Sequence, residues 1–185
     1  MNPTMNNPDA MKPAYPDFTN GSDNRNPVSY KQALAQFDVV NNPRYVKGHA
    51  GGNETYCNIF LWDGSRALAC EIPHFVLFYS KGGDGKIFLT GHEDNANVVA
   101  AWFTSPEAAN AGWRQVSMLE AVSRAERGFP SVLVWNNPAG IGHVGWVIPS
   151  DSAGCRIAQA GGSNFFDDDY RKGFGNAAVI FYTHD

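Results

Sequence analysis

The chain has 185 residues, 43% hydrophobic and 13% aromatic, which is enough apolar surface for one substantial core and too little length for two. Its formal charge of -4, from 14 Lys and Arg against 18 Asp and Glu, supplies no basic stripe for phosphate backbones or anionic membrane surfaces, so nucleic acid is excluded as a partner. No apolar run approaches membrane-spanning length, which excludes membrane insertion.

Residues 1–27 are rich in Asn, Pro, Asp and Ser and poor in branched apolar residues, a composition that predicts an extended or disordered lead-in to a single domain over 28–185. The first residues, Met1-Asn2-Pro3-Thr4-Met5-Asn6-Asn7-Pro8, lack the basic and apolar regions of a secretory signal, which predicts synthesis in the cytoplasm without a Sec-type address. Between Ser29 and Phe37 the spacing of Tyr30, Ala33, Leu34 and Phe37 predicts a helix, stopped by Asn41-Asn42-Pro43. The loop Lys47-Gly48-His49-Ala50-Gly51-Gly52-Asn53 then delivers the chain to Cys57. From Asn58 to Cys70 the apolar residues suit a helix buried on most sides, and Pro73 ends it.

Short apolar runs at 75–79 and 86–89, around Lys81-Gly82-Gly83-Asp84-Gly85, predict a loose hairpin. Asp94 or Asn95 caps a helix over Ala96 to Phe103, and Ser105-Pro106-Glu107 starts another with Pro at its first position. Ser117-Met118-Leu119-Glu120 is a capping box for a helix that runs to Gly128. Four strands follow, at 130–135, 143–148, 155–160 and 177–182, separated by Asn-Pro, Pro-Ser-Asp and Gly-rich turns. Helices followed by an antiparallel sheet make the fold class α+β.

Three cysteines, Cys57, Cys70 and Cys155, cannot all pair, so at least one is free. Cys57 is the candidate; Cys70 and Cys155 are either a bridge or two buried, reduced thiols. Cys57 lies where a glycine-rich loop gives way to an apolar helix, and His143 opens the apolar strand His143-Val144-Gly145-Trp146-Val147-Ile148. A thiolate rather than a thiol attacks carbonyl carbon, and a helix N-terminus with a nearby His lowers a thiol pKa by several units. The helix end also offers free N–H groups to a developing oxyanion, while His143 takes the thiol proton and returns it to a leaving amine.

A third polar group must hold the imidazole. The strand Arg156-Ile157-Ala158-Gln159-Ala160 follows His143 by a short turn, so the two strands are expected to be antiparallel neighbours, with Gln159 the best orienter and Asn164 the reserve. His49, His74 and His92 lack the paired spacing of zinc ligands, and Asp167-Asp168-Asp169 lacks the spaced ligands and turn glycine of a calcium loop. No metal is predicted, and the acidic run reads as a solvated turn.

A cysteine at the start of a buried helix, then a His opening a strand, then a polar residue on the next strand is an order that resembles the papain-like NlpC/P60 and CHAP peptidoglycan hydrolases. The resemblance covers residues 28–185 in organisation and rests on Thr55-Tyr56-Cys57-Asn58, Gly142-His143-Val144 and Ile157-Ala158-Gln159-Ala160-Gly161. NlpC/P60 members usually carry Asp-Cys-Ser at the nucleophile, where this chain has Tyr-Cys-Asn. The resemblance implies an NlpC/P60-type fold with the nucleophile helix packed on an antiparallel sheet. It also implies cleavage of an amide bond in peptidoglycan by Cys57, His143 and Gln159, with neither metal nor organic cofactor.

It assigns Tyr56 either to the oxyanion or to the core or groove wall, and makes Asn58 and Asn164 candidates for the oxyanion site or groove. Trp62 and Asp63, and Trp135, Asn136 and Asn137, are groove candidates too, with packing the alternative for both tryptophans. A wall hydrolase made in the cytoplasm reaches its substrate by phage lysis or by a contact-dependent route such as type VI secretion, the second implying an immunity protein as partner. Two rivals are acyl transfer or deamidation of protein side chains on the same fold, and a non-catalytic wall-binding module.

Overall fold

The computed structural model describes residues 12–48, 52–81 and 87–185, with the backbone alone at 24, 75–81 and 87–93. His49, the glycine-rich turn expected at 82–85 and the first eleven residues lie outside the described residues, as does the side chain of His92.

Asn26 opens the first helix, α1 (Pro27–Ala35), by accepting the Ser29 N–H at 2.8 Å, with Pro27 in the first turn. The helix stops short of Phe37 because the chain turns at Asp38, whose φ of 43° lies in the left-handed region. Tyr30 pins α1 to the sheet, its hydroxyl donating to the Val147 carbonyl at 2.6 Å and accepting the Ser131 N–H at 3.1 Å.

The second helix, α2 (Cys57–Ala67), is the axis of the molecule, and ten of its eleven residues are buried. A backbone hairpin, β1 (Phe75–Lys81) and β2 (Ile87–Glu93), follows. Next come α3 (Ala96–Phe103), capped by Asn95, and α4 (Pro106–Asn110), capped by Ser105. α5 (Met118–Ala125) begins at Ser117, whose hydroxyl accepts the Glu120 N–H at 3.2 Å. The Glu120 carboxylate pairs with Arg114 at 2.7 Å, so the box is formed from its serine side. Gly128, at φ 86°, turns the chain out of the helix, with the Phe129 N–H on the Arg124 carbonyl.

The strands β3 (Trp113–Val116), β4 (Ser131–Trp135), β5 (His143–Val147), β6 (Arg156–Gln159), β7 (Phe165–Asp169) and β8 (Ile180–His184) make one antiparallel sheet in the order β3-β8-β4-β5-β6-β7. A sixth helix, α6 (Tyr170–Phe174), links β7 to β8. The fold is therefore α+β, as the pattern of helices followed by strands predicts. β3, β7 and α6 were not expected. The acidic run Asp167 to Asp169 ends an edge strand instead of a solvated turn, because Lys31 (2.7 Å), Ser150 (2.9 Å) and Arg156 (3.0 Å) all bond the Asp167 carboxylate.

α2 crosses β5, and Gly64 permits the approach: a Cβ there would stand 2.5 Å from Trp146 Nε1 and 2.7 Å from Leu34 Cδ2. A mid-helix glycine costs about 1 kcal/mol against alanine, which burial of the whole Trp146 side chain offsets. Residues 12–26 carry little regular structure, yet they are docked. Asn20 is buried and donates to the Gly128 carbonyl at 2.7 Å, and Arg25 reaches the carbonyls of Asn20, Leu68 and Asp185. The ordered body thus begins before Val28. Among the described residues no helix is long and apolar enough to cross a membrane.

Candidate active site

Cys57 is the first residue of α2, preceded by Tyr56 with non-helical φ and ψ of -116° and 32°. The first N–H groups of a helix have no carbonyl one turn earlier to bond, so a thiol at this position sits among free donors and at the positive end of the macrodipole. Because α2 lies across β5, its start falls beside the start of that strand, where His143 stands opposite Trp135 of β4.

The register between β5 and β6 explains Gln159. Trp146 pairs with Ala158 and Val147 with Ile157. Continuing that count places Gly161 opposite His143 and Gln159 diagonally across on the same face, within reach of a long side chain. The Gln159 Oε1 accordingly hydrogen-bonds His143 Nε2. Its Nε2 donates to the Ser163 carbonyl at 2.9 Å, and since a carbonyl only accepts, this fixes which end of the amide faces the ring. His143 therefore carries its proton on Nε2, leaving Nδ1 to exchange a proton with the thiol.

Two glycines and a phenylalanine shape this pair. A Cβ on Gly161 would stand 3.0 Å from His143 Cε1, and one on Gly173 would stand 2.8 Å from Gln159 Cδ. The Phe174 ring lies 4.6 Å from the imidazole centroid and shields it.

Burial alone raises the Cys57 thiol, but the charge of His143, a hydrogen bond with its ring and the backbone N–H groups of Val144 and Asn58 outweigh it. The thiol titrates below its ordinary value. Burial likewise lowers His143, and the Cys57 charge with the hydrogen bonds to Cys57 and Gln159 outweighs that, holding the imidazole above its ordinary value. Opposite shifts of this sense favour the thiolate–imidazolium form over the neutral pair, with the two titrations belonging to the pair. Such a pair is chemically equipped for nucleophilic attack on carbonyl carbon and for donating a proton to the departing group.

Cys70 and Cys155 are free and buried, so the alternative of two reduced thiols is the one present. Burial pushes Cys155 up to about 12 and Cys70 higher still. Among the described residues no imidazole offsets desolvation at either.

The other candidates stand as follows. Asn58 is buried, its amide donating to the Asp94 carbonyl at 2.9 Å. Tyr56 is buried and commits its hydroxyl proton to Glu54 at 3.1 Å, a geometry of the core or groove wall. Trp62 is buried, stacked on His74 with centroids 3.4 Å apart and bonded through Nε1 to Glu71. Asp63 is wholly buried and accepts from Arg44 through both oxygens and from Tyr45 at 2.7 Å, so it belongs to a closed ion pair. Trp135 is half-buried against the core.

Asn164 is no orienter of the ring; it holds the turn that holds the orienter. Its amide donates to the carbonyls of Val39 (3.0 Å) and Tyr45 (2.8 Å) and accepts the Gly161 N–H at 2.9 Å. Sequence reasoning missed Gly161, Gly173 and Phe174 as site residues, although a Gly-Gly pair directly after Gln159-Ala160 marks a place where the chain passes close to something bulky.

Compared with protein-family models and with curated proteins, the chain matches none.

Proposed function

We propose that this protein is a cysteine amidase or endopeptidase that cleaves an amide bond in the peptide of bacterial cell wall. The observation that carries the reading is the Cys57, His143 and Gln159 constellation, with the thiol shifted down and the imidazole shifted up by each other. The likeness of this order along the chain to the NlpC/P60 and CHAP hydrolases supplies the substrate class.

In this mechanism the Cys57 thiolate adds to the scissile carbonyl and pushes the carbonyl electrons onto oxygen. The Cys57 backbone N–H, unable to bond within α2, faces the oxyanion. As the C–N bond breaks, imidazolium Nδ1 gives its proton to the departing amine, leaving a thioester. Water then attacks the thioester while Nδ1 takes its proton; the C–S bond breaks, a carboxylic acid is released and the thiolate–imidazolium pair returns. Gln159 keeps Nε2 protonated throughout, so the ring presents Nδ1 at each step.

The biological reading is that of an antibacterial effector acting on the wall of a target cell, held in check by an immunity protein. It rests on the resemblance of the Cys57, His143 and Gln159 order to the NlpC/P60 and CHAP hydrolases. Incubating purified protein with isolated peptidoglycan and resolving the muropeptides by mass tests it. New free amines and carboxylates that depend on Cys57 support the reading. Retention on sacculi without cleavage would replace it with a binding module, and modification of protein glutamine instead would replace it with a deamidase or acyltransferase.

A further inference from the structure

His143 sits at a weak point of the sheet. It is the terminal β5 residue in register with β4, and the pairing of β5 with β6 begins only at Trp146, so on one side its backbone lies beyond the ladder. Immediately before it runs the loop Asn136 to Gly142, which is largely exposed and contains Pro138, Gly140 and Gly142. Bonds within the loop, the Ala139 N–H donating to Asn137 Oδ1 (3.1 Å) and Asn137 Nδ2 donating to the Ile141 carbonyl (3.2 Å), shape it without anchoring it to another element. The imidazole must nevertheless be held to a fraction of an ångström against a thiol on another element.

Asn97 supplies the attachment. It stands in the first turn of α3, a helix packed against α2, β4 and β5, so its backbone is fixed relative to Cys57. Its Nδ2 donates to the carbonyls of Asn137 (3.1 Å) and Gly140 (2.8 Å), and its Oδ1 accepts the Asn137 N–H at 2.9 Å. Both ends of the amide are used, and all three loop partners are backbone groups. Gly142, the residue before His143, presses against the same Asn97 Oδ1 and the Trp135 carbonyl so closely that a side chain on it would collide with both.

We infer that Asn97 is a positioning residue for the reaction: it clamps the β4–β5 loop to α3 and thereby sets where the His143 imidazole meets the Cys57 thiol. The inference rests on the assignment of Cys57 and His143 as the reacting pair, and does not depend on which amide is cleaved. Asn97 touches neither group. Removing the clamp frees the loop and lets the imidazole drift from the sulfur.

The test reads the thiol directly. Iodoacetamide alkylation of Cys57 is followed against pH in the full-length protein and in Asn97→Ala, with thiolate ultraviolet absorbance as a second measure. Ser117→Ala, which removes the cap of α5, serves as a control for lost stability without loss of the clamp. The expected result is a midpoint raised by about one pH unit in Asn97→Ala and unmoved in Ser117→Ala, equivalent to a roughly tenfold lower alkylation rate on the acid side. Where wall hydrolysis is measurable, Asn97→Ala lowers kcat and leaves KM near its original value.

A midpoint unmoved in Asn97→Ala, whatever its melting temperature, overturns the inference and makes Asn97 a structural residue. An equal shift in both variants also overturns it, because general loosening would then suffice. Absence of wall cleavage by the unmodified protein would count against the proposed substrate alone, since the alkylation midpoints are read without it.

Discussion

Two buried cysteines mark the two ends of α2. Cys57 begins the helix and Cys70 lies three residues past its end, with 3% and 4% of their surfaces exposed, yet their thiols move in opposite directions. Burial pushes both up. At Cys57 the imidazole of His143 and the N–H groups of Val144 and Asn58 outweigh it. At Cys70, among the described residues, burial is opposed only by the charge of Arg25, whose guanidinium is already committed to three carbonyls. Depth in the core thus says nothing about reactivity. What matters is whether donors converge on the sulfur, and here they converge because a helix start, a strand start and a diagonal strand neighbour meet at one point.

The largest effect that sharpens this contrast is loss of the nucleophile. Cys57→Ala is expected to lower wall cleavage by about 10⁴-fold or more with the fold intact, since a small residue at the first helical position disturbs little packing. In the unmodified protein at neutral pH, Cys57 should alkylate about 10²-fold or more faster than Cys70, read by mass mapping of labelled peptides. Equal rates would mean that the two ends of α2 are chemically alike and would remove the basis of the mechanism.

His143→Ala comes next, with an expected loss of about 10² to 10⁴-fold. The same change should move Cys57 toward the behaviour of Cys70, raising its alkylation midpoint, because burial is then opposed by the backbone N–H groups of Val144 and Asn58 without the imidazole. The pH profile of kcat/KM tests the pair as a unit. Activity needs the thiolate, so the acid limb falls below the ordinary thiol value of about 8.5, and it needs the imidazolium, so the alkaline limb lies above the ordinary imidazole value of about 6.5. A profile that rises only near the ordinary thiol value would indicate a neutral pair instead.

Smaller losses separate Gln159 from Asn164. Gln159→Ala should lower turnover by about tenfold, less than His143→Ala, because it frees the ring's orientation while leaving its proton chemistry in place. Asn164→Ala should show mainly as lost stability, about 1–3 kcal/mol, because it strips partners from buried backbone groups of Val39, Tyr45 and Gly161. Urea melts beside kinetic assays distinguish the two; a greater fall in kcat than in stability for Asn164→Ala would make it the orienter after all.

Local signals in the chain made Cys57 and His143 legible: a glycine-rich loop breaking into an apolar helix, and a histidine heading a run of strand formers. Gln159 followed from the expectation that two strands joined by a short turn are neighbours. What stayed hidden depends on partners remote in sequence. Asn164 bonds Val39 and Tyr45, 125 and 119 positions away, and Asn97 bonds a loop 40 to 43 positions on. Asp63 is a groove candidate in the sequence through its place on the nucleophile helix; only the fold brings Arg44 and Tyr45 onto it. β7 was obscured because three aspartates argue against a strand until Lys31, Ser150 and Arg156 are placed around one of them. The docking of residues 12–26 uses arginine and asparagine bonds to backbone carbonyls, to which hydrophobic patterning is blind.

The smallest expected effect belongs to Cys70 itself. Its N–H is held by the Ser65 carbonyl and its sulfur lies in the core, with no imidazole among the described residues acting on it. Cys70→Ala removes one buried sulfur and leaves a small void, which should cost about 1–2 kcal/mol of stability and leave turnover and the Cys57 alkylation midpoint unchanged. The void lies near the foot of α2 and the His143 contact at its head, so the two could communicate only if the helix shifted as a rigid rod. The close seat of Gly64 on Trp146, midway between them, opposes such a shift. A Cys70→Ala protein whose Cys57 midpoint moved would therefore show that the seat at Gly64 is looser than its packing implies, and that the chemistry at one end of α2 depends on the core at the other.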